Sequence, residues 1–174
     1  MIQQALIYAA VFATAFLASI VAPPRAAIAH PHVFIDGDVD FLADESGRLK
    51  SLAITWRYDR FETLYALTSI GIAPAPDGTL LPDDRIALIQ NERDWPQGFD
   101  GAAKVVIGGE SVPLTGPLGL DADLLDGRLV VRFRRNLLVP QAMNKQTIEV
   151  GFYEGTYYYA FSVAAAPKVL GLGG

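Results

Sequence analysis

The chain has 174 residues, 51% of them hydrophobic and 19% charged, with a net charge of −5 and no cysteine. That balance excludes a disordered chain, and with no basic run or basic helix it excludes a nucleic-acid binder. The missing cysteines exclude disulfides, thiolate metal sites and thiol catalysis, and they leave the redox compartment open.

Residues Ala5 to Val21 form an apolar run without a charge, broken by Pro23, Pro24 and Arg25. Ala27-Ile28-Ala29 has the A-x-A form of a cleavage box. Residues 1–29 therefore read as a signal peptide, with His30 as the first mature residue, and export in a bacterium leads to the periplasm. Met1 to Gln4 carries no Lys or Arg, which departs from the usual leader. The alternative is an uncleaved membrane anchor, since the run is near the lower limit of roughly 17–25 residues for a spanning helix.

Residues 30–166 read as one β-rich domain with a helical insertion at about 60–96, and 167–174 as a frayed tail. From His32 to Phe41 the pattern alternates. Val33, Ile35, Val39 and Phe41 share one face, and His32, Phe34, Asp36, Asp38 and Asp40 the other. The aspartate series reads as a solvated strand face. After a turn at 43–48, a second strand turns Leu52, Ile54, Trp56 and Tyr58 inward, which makes an antiparallel hairpin with one buried face.

Asp59 is the expected N-cap of a helix whose stripe is Phe61, Leu64, Tyr65 and Thr68. A second helix is expected from about Asp83 to Trp95, stopped by Pro96. Ala73 to Asp84, between them, has the length of a calcium loop, with Asp77 at its fifth position and Gly78 at its sixth. Ala73 and Ala75 stand where the first and third ligands belong, so the loop is expected to be a connector that holds no calcium.

Strands follow at 104–107 and 111–114 around Gly108-Gly109-Glu110, at 128–134 after Asp126-Gly127, and at 147–153. A last strand runs from Tyr157 to Val163, with Tyr157, Tyr159, Phe161 and Val163 on one face. The fold class is mainly β (α+β): a single antiparallel sheet or sandwich with a two-helix insertion.

Chemistry concentrates in His30-Pro31-His32, which holds both histidines of the chain. On a strand their Cα atoms lie about 6.5–7 Å apart on one face, so both imidazoles can converge on one ion. Pro31 biases His30 toward extended backbone and removes the amide nitrogen that a square-planar amidate site would need. What remains is a chelate of the His30 α-amine, its imidazole and the His32 imidazole, suited to copper as a histidine brace. Zinc, nickel or cobalt would need a carboxylate or water to complete the shell. Asp36 lies on the same face, and Asp59 and Glu154 stand at strand ends as further candidates for ligand or supporting roles. The alternative is a pair of solvated histidines near a terminus. No Gly-rich phosphate loop, nucleophile elbow or HExxH is present, so no enzyme is expected.

The leader, His30-Pro31-His32-Val33-Phe34-Ile35-Asp36, Trp56-Arg57-Tyr58-Asp59-Arg60-Phe61 and Phe152-Tyr153-Glu154-Gly155-Thr156-Tyr157-Tyr158 together resemble the exported bacterial family catalogued as domain of unknown function 1007. The resemblance implies a periplasmic component associated with ABC-type transport, beside nickel, cobalt or zinc permeases and exporters. On that basis the expected function is a periplasmic accessory of transition-metal transport, binding an ion through His30 and His32. The expected partner is an inner-membrane metal permease or exporter. Two other readings stay open: an interaction module that docks on a membrane transporter without a metal of its own, and a copper enzyme with a histidine brace.

Overall fold

The computed structural model of the protein describes residues 32–95, 99–143 and 146–171. The expected leader, the cleavage site and His30 lie outside the described residues. The alternating pattern of the first third builds β1 (Val33–Ala43) and β2 (Arg48–Tyr58), paired antiparallel with Ile35 opposite Tyr58 and Phe41 opposite Leu52. Val33, Ile35, Leu52, Ile54 and Trp56 are almost fully buried, as their period of two requires. The insertion follows as α1 (Arg60–Ser69) and α2 (Pro82–Arg93).

The later strands are β3 (Ala103–Ile107), β4 (Glu110–Val112), β5 (Leu118–Leu125), β6 (Arg128–Ala142), β7 (Ile148–Phe152), β8 (Tyr159–Val163) and β9 (Val169–Leu170). They form two sheets. One has the order β5-β6-β2-β1-β8, with β9 also on β1, and the other the order β4-β3-β7. The protein is mainly β with two helices, as the sequence implies. The larger sheet is mixed rather than antiparallel, because β8 and β9 both run parallel to β1 along one edge. Within the stretch expected to fray, three residues pair with β1: Phe41 donates to the Lys168 carbonyl at 2.8 Å, and Val169 and Leu170 align with Phe41 and Leu42.

A single core joins both sheets and both helices. Arg135 on β6 is buried, and its guanidinium donates to the Ala103 carbonyl on β3 at 2.5 Å and the Thr115 carbonyl at 2.8 Å. A cation is thereby kept in the core by carbonyl oxygens between the sheets, at a cost in desolvation that lowers its pKa. Gly37 on β1 lies against the Phe152 ring of the smaller sheet. A Cβ there would lie 2.6 Å from the Phe152 ring of β7.

Besides β9, the strand that the sequence pattern does not announce is β5, which pairs with β6 across the Asp126-Gly127 turn. Both turn residues have positive φ, 54° and 70°, as a two-residue hairpin of the primed kind demands. The aspartates of β1 are tied down rather than merely solvated. Asp36 accepts from Arg128 and Ser162, Asp38 pairs with Arg57, and Asp40 accepts from the Lys168 amide.

The helical insertion departs from expectation in its orientation. Asp59 does cap α1, accepting from the amides of Phe61 and Glu62 at 2.7 and 2.9 Å. The buried face, however, is Thr63, Ala66 and Leu67, while Phe61, Leu64 and Tyr65 are 76%, 60% and 62% exposed. The Thr63 hydroxyl explains the rotation: it donates to the Asp59 carbonyl and accepts from the Leu129 amide of β6, which docks α1 by its smaller side. On α2, Leu88 is fully buried, and Arg85 reaches Asp121 and Asp123 on β5.

Gly37→Ala is expected to destabilise the fold by about 1–3 kcal/mol through overpacking. The double variant Gly37→Ala/Phe152→Leu is expected to recover part of that loss, and urea unfolding measures both.

Candidate functional site

The first described residue, His32, is exposed and fixed at the mouth of the parallel β1–β8 edge. Its amide donates to the Tyr158 carbonyl at 2.9 Å, and its ring lies 5.3 Å from the Tyr158 ring. Each of the other described sequence candidates is engaged by donors of the protein itself. Asp36 is held by Arg128 at 2.7 Å and the Ser162 hydroxyl at 2.6 Å, which keep its carboxyl below the usual carboxylate range. Asp59 spends both oxygens on amides, Oδ1 on α1 and Oδ2 on Phe34.

Glu154 is folded into its own turn. It accepts from the Thr156 amide and hydroxyl at 2.9 and 2.6 Å and from the Tyr158 amide at 3.2 Å, bonds that lower its pKa. That turn also holds Tyr157 at φ 59°, so the final strand starts at Tyr159 rather than Tyr157. Among the described residues, no group of three or more His, Asp or Glu side chains is arranged to hold a metal ion.

Beside His32 the structure opens a cleft that the sequence reading missed. A cavity of about 230 Å³ is walled by Trp56, Tyr58, Trp95, Phe99, Tyr158 and Tyr159, with Glu154 and Thr156 on the same wall. A second cavity, of about 190 Å³, shares Tyr58, Trp95 and Tyr159 and adds Glu62 from α1 and Glu92 from α2. Tyr158 thus belongs both to the His32 contact and to the cleft.

The electrostatics of the cleft are those of a poorly hydrated acidic pocket. Burial, reinforced by the negative charge of Glu62, pushes Glu92 up to about 7. Glu62 is raised by burial and by Asp59 nearby. Tyr58 is raised well above its ordinary range by burial and then by Glu92. Aromatic walls with displaced carboxyl pKa values in a concave site are the usual marks of a binding site. A signal for it was present in the sequence. Glu62, Tyr65, Ala66 and Ser69 also recur at helical spacing, and they line the second cavity.

The sequence model of the family described as "Protein of unknown function (DUF1007)" matches residues 15–172. The chain belongs to that family. No curated protein and no solved structure matches it.

A carboxyl raised on folding stabilises the protein while it is protonated, because the unfolded chain ionises first. Glu92 therefore makes stability fall as the pH rises from its ordinary 4.5 through about 7. Glu92→Gln is expected to flatten that dependence and to raise Tm at pH 8 by roughly 2–5 °C. Thermal unfolding at pH 5 and pH 8 measures the difference.

Proposed function

We propose that the protein is a periplasmic accessory of transition-metal transport that takes its cargo ion at the mature N-terminus. The ligands are the His30 α-amine and imidazole and the His32 imidazole, which suit zinc, nickel, cobalt or copper. The observation that carries this reading is the anchoring of His32. Its backbone is bonded to Tyr158 and its ring lies against Tyr158, so a chelate built on it would sit at a fixed point of the sheet edge. Asp36, Asp59 and Glu154 already accept from protein donors, and a ligand role for any of them competes with those bonds. The donor set that fits is therefore the two histidines, with water or the receiving transporter completing the shell.

A second reading, an interaction module that docks on an inner-membrane transporter, gains support from α1. Phe61, Leu64 and Tyr65 form an outward apolar stripe at helical spacing, which is the pattern a groove-binding helix presents.

Protein exported and processed by a native host is expected to begin at His30, by intact mass, and to bind one equivalent of Zn(II), Ni(II), Co(II) or Cu(II) by calorimetry. His32→Ala is expected to abolish tight binding; unchanged affinity in that variant would end the metal reading. Copurification with a permease that survives chelation and is lost in Leu64→Asp is the outcome expected of the docking reading. Equal copurification of that variant would remove α1 from it.

A further inference from the structure

Two independent features of the cleft call for the same occupant. Its larger cavity is walled by six aromatic side chains, Trp56, Tyr58, Trp95, Phe99, Tyr158 and Tyr159. Its carboxylates are unbalanced: Glu154 on that wall, and Glu62 and Glu92 on the adjoining one, form no salt bridge among the described residues. Arg57, Arg85 and Arg128, by contrast, each pair with an aspartate on the sheet.

We propose that the cleft binds a small organic cation, a compound of the ammonium class. Aromatic faces attract an ammonium ion through their quadrupoles, and most strongly where water is excluded. The positive charge balances carboxylates that lack a cationic partner. Size narrows the class further. A cavity of about 230 Å³ lies below the range of roughly 300–1,000 Å³ that holds drug-sized ligands, so the occupant is compact. An anion would face Glu154 in the larger cavity and Glu62 and Glu92 in the adjoining one, and an apolar neutral molecule would leave their charge unanswered. The groups that face Glu92 are Glu62, Tyr58, Asn91 and Tyr159, none of them basic, so the cation gains from ionisation of Glu92 as the pH rises.

The test uses calorimetry of the purified protein at pH 8 with a chelator present, which separates this site from the metal proposed for His30 and His32. Choline is compared with its uncharged isostere 3,3-dimethylbutan-1-ol. The expected result is choline binding at least about 10-fold tighter than the isostere, weakened about 10-fold in both Trp95→Leu and Glu92→Gln. Equal affinity for the two compounds, or no saturable choline binding below about 1 mM, would overturn the proposal. If Trp95→Leu fails to fold by circular dichroism, Glu92→Gln decides, and unchanged choline affinity in that variant likewise overturns it.

Discussion

The structure depends on the burial of one indole. Trp56 sits on β2 in the middle of the larger sheet, and four rings from three other segments meet it. Phe133 of β6 and Phe161 of β8 lie 5.0 and 5.4 Å away, and Trp95 and Phe99, which follow α2, lie 6.0 and 6.2 Å away. Edge-to-face and tilted contacts of this kind add about 0.5–1.5 kcal/mol each beyond the area they bury. Phe161 stacks in turn on Phe152 of β7, whose ring occupies the space that a side chain at position 37 would need. One aromatic chain thus connects the central strand, the insertion, the closing edge and the second sheet. The cleft is what this arrangement leaves open on its outer side, where Tyr58, Tyr158 and Tyr159 continue the same wall.

The carboxylates divide by the donors they face. Asp36, Asp38, Asp40, Asp59 and Glu154 are held by guanidinium, hydroxyl or amide donors, and each secures a joint of the fold. Glu62 and Glu92 are half-buried beside tyrosines and beside each other, and burial raises the pKa of both. Keeping two such groups in one pocket has a cost in stability, and proteins tolerate that cost where a site needs it.

The strands were legible where one face is buried and the other is not. The period of two in His32 to Phe41 and in Leu52 to Tyr58 read directly into β1 and β2, and the Asp126-Gly127 turn located the start of β6. β5 was illegible because Leu118-Gly119-Leu120-Asp121-Ala122 alternates only weakly and carries a glycine at positive φ. The face of α1 was misread because its three large apolar residues share a stripe, while the docking face is made by Thr63, Ala66 and Leu67. Hydrophobicity favoured the first face; a hydroxyl bonded to a strand amide selected the second. Of the candidate site, His32 and Glu154 were readable from motif alone. Glu62, Glu92 and Trp95 were not, because their proximity is created by the packing of two helices and three strands that spacing along the chain does not encode.

The parallel edge on β1 also governs when the fold can close. Val33 to Gly37 find their second neighbour only in Tyr159 to Val163, and the Asp36–Ser162 bond spans 126 residues of sequence. Pairings of such long range are entropically expensive to form and slow to appear. Until the closing strand has been synthesised, β1 has no partner on that side, and Trp56 lacks the Phe161 ring that seals it. A nascent chain missing its last few dozen residues therefore cannot complete the native sheet. The core is thus sealed from its C-terminal side: the ring that closes over Trp56 and the strand that covers the edge of β1 emerge together, after every other part of the larger sheet except β9.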